Sequence, residues 1–164
     1  MQPEEIAQLI GKSTGVRMFE VEKGAIRRFA DAVGDPNPLF RDEEHARGSP
    51  YGGIIAPPGF FGWPLRQQMG SPLVVEFPME LMGPLSQSGY AVATALDGGM
   101  EYDFFQPVRA GDTLAASTVV KDLRERTGKM GKMAFIVLET TYLNQHGTLV
   151  ARARATTILR SFSM

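Results

Sequence analysis

The stretch from Gly52 to Leu65 limits the fold more than any other. It opens on a short apolar run, Ile54 to Ala56, and passes through Pro57 and Pro58. It then enters the most aromatic segment of the chain, with Phe60, Phe61 and Trp63. Proline suits the first position of a helix, because the N–H it lacks would have no intrahelical acceptor there. A helix is therefore predicted from Pro58, with Phe60, Phe61, Trp63 and Leu65 covering most of its circumference. Pro64 should kink or end it near Trp63, and Leu65 to Met69 should form a more polar turn closed by Gly70. A helix that is apolar all round must be buried all round. Some other part of the chain has to wrap it.

The C-terminal half reads as that wrapping. Tyr90 to Leu96 is followed by Asp97, Gly98 and Gly99, a hairpin signal, and then by Met100 to Val108. After a turn at Arg109 to Asp112 come three long runs: Thr113 to Arg126, Lys132 to Leu143 and Thr148 to Arg160. They are broken at Thr127–Lys129 and Asn144–Gly147, both rich in turn formers. In the last run Leu149, Ala151, Ala153, Ala155, Thr157 and Leu159 share one face. Val150, Arg152, Arg154, Thr156, Ile158 and Arg160 share the other, which should be solvated or meet a partner. The alanines leave room for a helix to lie close to the sheet. An α+β fold follows, an antiparallel sheet of about five strands around one central apolar helix.

The first half supplies the helices. Glu4 to Ile10 carries Ile6, Leu9 and Ile10 at amphipathic spacing and stops at Gly11; Val16 to Val21 alternates as a strand would. Glu22 to Val33 places Ile26, Phe29, Ala30 and Val33 on one face, with Gly34 as its C-cap. Asp35-Pro36-Asn37-Pro38 cannot be helical, since each proline pushes its predecessor toward extended geometry. Asp42 can cap a further turn to Arg47. Ser71 to Gly83, with prolines at 72 and 78 and Pro84 just after, reads as a loop or lid over something apolar.

Bulk properties narrow the class. The 164 residues suit a single domain, 1–164, without internal repeats. A net charge of -1 gives no electrostatic case for nucleic acid or an anionic membrane. With 0 cysteines there is no disulfide, thiolate nucleophile or cysteine metal site, which suits a reducing cytoplasm. Glu4 and Glu5 do not suit a secretory leader, and no apolar run approaches the ~20 residues of a membrane span. His45 and His146 lack the paired spacing of metal ligands. No cofactor is implied.

Three ordered strings carry a family resemblance: Phe29 to Asp42 around Asp35-Pro36-Asn37-Pro38, Tyr51 to Pro58, and Phe105 to Leu114. They resemble the MaoC-like hydratase/dehydratases, most closely the FAS1-like dehydratase branch, over roughly Ile6 to Arg160. The resemblance implies the hot-dog fold and reversible hydration of trans-2-enoyl thioesters to (R)-3-hydroxyacyl thioesters. It implies an acyl thioester ligand, carried by coenzyme A or acyl carrier protein, and assembly with another hot-dog subunit, identical or different. In complete members an aspartate and a histidine five positions later (D-x-N-P-x-H) hold and deprotonate the water. A backbone N–H at the start of the central helix polarises the thioester carbonyl. An acid/base pair is required because water loses a proton as the α-carbon gains one. The enolate-like oxygen needs a donor aimed at it in advance.

The chain departs from this pattern twice. Asp35, Asn37 and Pro38 match, but the histidine position holds Phe40, which cannot exchange a proton. The helix start, A-H-G in complete members, is Ala56-Pro57-Pro58, and Pro58 has no N–H. Gly59 and Phe60 retain amides that could form a shifted oxyanion site. Losing one such donor typically costs ~10²–10³ in rate, and losing a base ~10²–10⁴. The resemblance thus assigns Asp35 as the candidate catalytic group and Asn37, Phe40, Pro58, Gly59 and Phe60 as substrate-contacting candidates. Simpler readings stand beside these: Asp35 and Asn37 as turn residues, Phe60 and Phe61 as core. Arg152, Arg154 and Arg160 read as a solvated face, or one of them as a coenzyme A phosphate contact. Three functions remain open: the acyl-binding half of a two-chain hydratase, a self-sufficient homodimeric hydratase using Asp35, or a non-catalytic acyl-thioester binding module.

Overall fold

The structure, a computed structural model, describes residues 7–13, 15–61, 79–91, 95–128 and 131–161. Five strands, β1 (Arg17–Glu20), β2 (Leu96–Phe104), β3 (Thr113–Gly128), β4 (Gly131–Leu143) and β5 (Leu149–Arg160), form one sheet in the order β1-β3-β4-β5-β2. Every neighbouring pair is antiparallel. Among the described residues three α-helices lie before or between them: α1 (Lys23–Ala32), α2 (Glu43–Gly48) and α3 (Met79–Gln87). Single 3-10 turns occupy Pro38–Phe40 and Pro58–Phe61. This is the α+β hot-dog arrangement expected from the sequence. The Pro58–Phe61 turn begins where the central helix was expected; the remainder of that helix, with Trp63, Pro64 and Leu65, lies outside the described residues.

One face of the sheet is apolar, and it serves two clusters. The larger joins Ala151 and Ala153 of β5 to Phe60, Phe61, Phe40, Ile54 and Ile26. The smaller joins Leu159, Ile136 and Leu138 to Leu81, Leu85 and Tyr90. The alternation expected for β5 holds for Ala151, Ala153, Thr157 and Leu159, all buried. Val150 breaks it, being buried as well. The cause is a β-bulge: Tyr142 pairs with Ala151 and Leu143 with Leu149, so Val150 is the extra residue. Its carbonyl accepts from both Phe105 N–H (3.0 Å) and Gln106 N–H (3.3 Å).

Several expectations are corrected. Asp97-Gly98-Gly99 does not turn a hairpin; it bulges within β2, between the pairs Asp97–Thr157 and Met100–Ala155. Gly99 has a φ of 107° and donates to Asp97 Oδ1 at 2.8 Å, and a Cβ on Gly98 would lie 2.8 Å from Thr156 Cγ2. The strand expected from Met100 thus begins at Leu96 and runs through the glycines, Tyr90 of the strand expected before them makes only an isolated bridge to Ser161, and Phe105 to Val108 leaves the sheet. Val33 is not on the buried face of α1; it follows the helix and is exposed. Pro84 does not mark a loop but sits inside α3. Proline there costs about 3 kcal/mol, which the burial of Leu81 and Leu85, one turn apart, offsets at about 1.5–3 kcal/mol each. Residues 71–78 of the expected lid, and Ile6, lie outside the described residues. Leu9 is buried, whereas Ile10 is exposed.

The smaller cluster has a polar clasp. Tyr90, fully buried just after α3, donates its hydroxyl to Glu125 of β3. Glu125 also pairs with Lys132 of β4 at 2.7 Å. Burial raises the Tyr90 pKa far above its ordinary value, and the hydrogen bond to Glu125 adds to this. Burial also pushes the Glu125 carboxyl up, but the hydrogen bonds from Lys132 and Tyr90 outweigh it, so its pKa lies below the usual value.

Candidate active site

α1 leads directly into the first part of the site. Its last carbonyls are satisfied by Val33 N–H to Phe29 (3.1 Å), Gly34 N–H to Asp31 (3.2 Å) and Asp35 N–H to Ala30 (2.8 Å). Gly34, at φ 70°, makes the reversal that a side chain would resist. Two short side chains then organise the corner. Asp35 Oδ1 accepts from Asn37 N–H at 3.0 Å, and Asn37 Oδ1 accepts from Leu39 N–H at 3.0 Å, capping the Pro38–Phe40 turn. Asp35 is half-buried. Among the described residues its second carboxylate oxygen has no protein partner.

Phe40 is packed into the core. It is 5% exposed and belongs to the larger apolar cluster, with Ile54, Ile55, Phe60 and Phe61. The position that holds histidine in the D-x-N-P-x-H pattern is thus filled by a core residue.

The second part is the segment entering Pro58. Ile55 N–H donates to Leu39 carbonyl (3.3 Å), tying it to the Asp35 corner. Ala56 N–H to Val108 (2.8 Å) and Ala110 N–H to Ile54 (3.0 Å) fix it to the loop before β3. In the Pro58–Phe61 turn the two amides expected to be free differ. Phe60 N–H donates to Pro57 carbonyl at 2.9 Å and is therefore occupied. The Gly59 N–H has no acceptor among the described residues. Gly59 also lies hard against α1, since a Cβ there would meet Phe29 Cζ at 3.0 Å. Phe29 packs edge-on against Phe60, ring centroids 6.1 Å apart.

Two groups beside the site were not singled out from the sequence. Arg41, next to Phe40, holds Asp31 Oδ1 at 2.9 Å and donates to the Asp35 carbonyl, bracing the corner from outside. Phe61 sits in an aromatic group with Tyr142, Tyr102 and Phe104, at 5.0, 6.4 and 5.9 Å. The alternation of Tyr102 and Phe104 was the signal for the latter; nothing local marked Arg41. His45 and His146 are exposed on α2 and in the β4–β5 turn. Among the described residues no His, Cys, Asp and Glu cluster could hold a metal. None of the described helices is long and apolar enough to cross a membrane.

The sequence pattern of the FAS1-like dehydratase domain region matches residues 8–153. The chain belongs to this family. Among its relatives is a UPF0336 protein of Streptomyces avermitilis, 34% identical over 110 residues (67% of either chain). Another, from Thermomonospora curvata, is named "Probable enoyl-CoA hydratase alpha subunit"; it is 31% identical over 79% of this chain, which spans 41% of that protein. Solved structures agree on the hot-dog fold. The MaoC-like dehydratase from Rhodospirillum rubrum is 26% identical, with a TM-score of 0.66 and 94% of each chain covered. The ChsH1-ChsH2 complex from Mycobacterium tuberculosis, an assembly of two different chains, gives 21% identity and a TM-score of 0.74 over 96% of this chain and 94% of the other. The Asp35 corner and the Pro58 turn carry the residues that the resemblance assigned as site candidates.

Proposed function

We propose that this chain is the acyl-binding half of a two-chain enoyl-thioester hydratase, running in reverse as an (R)-3-hydroxyacyl-thioester dehydratase. A second hot-dog subunit supplies the acid/base pair. The observation that carries this reading is Phe40, locked in the core where the family's pattern needs a proton carrier. The relative named as an alpha subunit and the likeness to a complex of two chains support it. In the reaction a base takes a proton from water, the hydroxide adds to C3, and C2 receives a proton. The Gly59 N–H donates to the thioester oxygen as charge develops there. Pro58 and Gly59 face the acyl group, Phe60 and Phe40 back it from the core, and Asp35 and Asn37 hold the corner beside it. The thioester is borne by coenzyme A or acyl carrier protein, in the cytoplasm.

One observation favours a second reading. The unpartnered oxygen of Asp35 can accept a water proton, so a homodimer could use Asp35 unaided. Crotonyl-CoA hydration by the purified chain, alone and with the product of its neighbouring gene, separates the two. The two-chain reading expects a negligible rate alone, unchanged by Asp35→Ala, and a large gain on mixing. Turnover of ~10 s⁻¹, the ordinary enzyme range, by the chain alone and abolished by Asp35→Ala, overturns it.

A further inference from the structure

The outer row of β5 carries Arg152, Arg154 and Arg160, and their surroundings differ. Arg154 is saturated: Glu101 and Asp103 bind it at 3.2 and 2.8 Å, and Glu139 approaches the same guanidinium at 3.7 Å. Arg160 stands at the far end of the strand, opposite Met133. Arg152 lies between Asp103 of β2 and Thr141 of β4, yet Asp103 turns to Arg154 instead. Among the described residues Arg152 has no carboxylate partner. Its Nε is buried without an acceptor, while its Nη groups reach solvent. A guanidinium cannot shed its charge, and a buried donor left unpaired is costly. What holds it is the Phe105 ring, whose centroid lies 5.7 Å from Cζ. Phe105 is itself 46% exposed, so the pair borders solvent. Three carboxylates thus crowd one arginine, and its neighbour has none.

The place of this pair in the fold indicates which anion it takes. Phe104 and Phe105 straddle the end of β2, a terminal strand. The Phe104 ring lies 5.9 Å from Phe61 on the core side, whereas Phe105 covers Arg152 on the outer side. The amides of Phe105 and Gln106 fold back onto the Val150 carbonyl, so the strand stops there. Gly59 precedes Phe61 by one residue in the same turn. From the Gly59 N–H past Phe61 and Phe104, around the end of β2 to Arg152, is a path of roughly 20 Å. An extended pantetheine arm has about that reach. A thioester whose oxygen meets Gly59 therefore carries its pantetheine phosphate to this point.

We infer that Arg152, with Phe105 holding its guanidinium, binds the 4′-phosphate of the pantetheine arm that bears the acyl group. The Nη groups donate to two phosphate oxygens, a charge-assisted contact that partial burial strengthens. This rests on the acyl-binding reading above. The same phosphate occurs in coenzyme A and on acyl carrier protein.

Calorimetric titration of the purified chain with two saturated thioesters, which cannot be hydrated, tests the assignment: S-butyryl-4′-phosphopantetheine and S-butyrylpantetheine. Wild type should bind the phosphorylated compound roughly tenfold more tightly. Arg152→Gln should erase that preference and leave the affinity for S-butyrylpantetheine unchanged. Arg124→Gln, which removes a 70% exposed arginine from the same face, should keep it, separating a site from diffuse attraction. Butyryl-coenzyme A and butyryl-acyl carrier protein then distinguish the sources: the carrier is the one whose affinity falls in Arg152→Gln, and a fall in neither overturns the assignment. If Arg152→Gln misfolds by circular dichroism, Phe105→Leu replaces it and should cut the preference about threefold by freeing the guanidinium. Equal binding of both thioesters by wild type, or a preference that survives the substitution intact, overturns Arg152 as the phosphate contact and leaves acyl binding standing. Wild type that binds neither thioester sinks the acyl-binding reading and the phosphate contact together.

Discussion

Replacing Phe40 by histidine tests the burial on which the functional reading turns. Phe40 keeps 5% of its surface exposed, among Ile54, Ile55, Phe60 and Phe61. Burying a phenylalanine stabilises by about 1.5–3 kcal/mol. An imidazole keeps part of that but adds a ring N–H with no acceptor among aliphatic and aromatic neighbours, at about 1–3 kcal/mol. Phe40→His should therefore cost about 2–5 kcal/mol of a total of about 5–15. The loss should depend on pH. Burial disfavours the charged imidazole, so its folded pKa falls below the unfolded value of about 6.5. Between those two values the unfolded chain binds more protons, so stability drops as the pH is lowered, by up to about 1.4 kcal/mol per unit. Urea unfolding of parent and variant from pH 8 to 5 should show a gap that is constant above about pH 7 and widens below 6.5. A variant within about 0.5 kcal/mol of the parent, or a gap that narrows on acidification, would refute the core placement. Either result would mean that the introduced ring reaches water.

Two further outcomes can be measured on the same material. Glu125→Gln should destabilise at neutral pH, because Glu125 is charged, partly buried and bonded to both Tyr90 and Lys132. Its folded pKa is lowered, so its contribution is present above the unfolded value of about 4.3 and lost as pH falls through the folded value. The gap between parent and variant should accordingly close in urea melts taken below about pH 4, and a pH-independent gap would count against the clasp. Gly98→Ala should lower stability by about 1–3 kcal/mol through overpacking, since its Cβ would lie 2.8 Å from Thr156 Cγ2 and 3.0 Å from the Thr156 carbonyl. A neutral result by thermal melt would mean that the bulge does not press on β5.

The long strands were legible because their alternation is regular and their ends are marked by Gly and Asn turns. α1 was legible from Ile26 and Ala30, and Asp42 caps α2 through Glu44 and His45 N–H, both at 3.0 Å. What escaped were features that depend on the neighbouring strand. Gly98 and Gly99 look like a turn until Thr156 and Ile158 are seen beside them. Val150 looks outward until the extra residue in β5 is counted against β4. Pro84 reads as a helix breaker because the apolar stripe that outweighs it, Leu81 and Leu85, gains its value only against Tyr90 and Leu159. At the candidate site the motif residues could be named in advance, but the state of each amide could not. Which of Gly59 and Phe60 keeps an N–H to offer is set by the reach of the Pro57 carbonyl, a matter of one local hydrogen bond.

The strand order carries a consequence for how the chain comes into being. β3, β4 and β5 follow one another as a meander, whereas β1 pairs across the span from Arg17 to Ala116 and β2 across that from Met100 to Ala155. The ribosome releases Phe60 and Phe61 well before β5, whose Ala151 and Ala153 cover them in the finished molecule. At ~5–20 residues per second, that wait lasts roughly 5–20 s. Throughout it the most aromatic part of the chain lacks the β5 face that completes its cover. A polypeptide built in this order depends on whatever shelters it during translation, and slowed synthesis between positions 65 and 150 should lower its soluble yield more than slowing anywhere earlier.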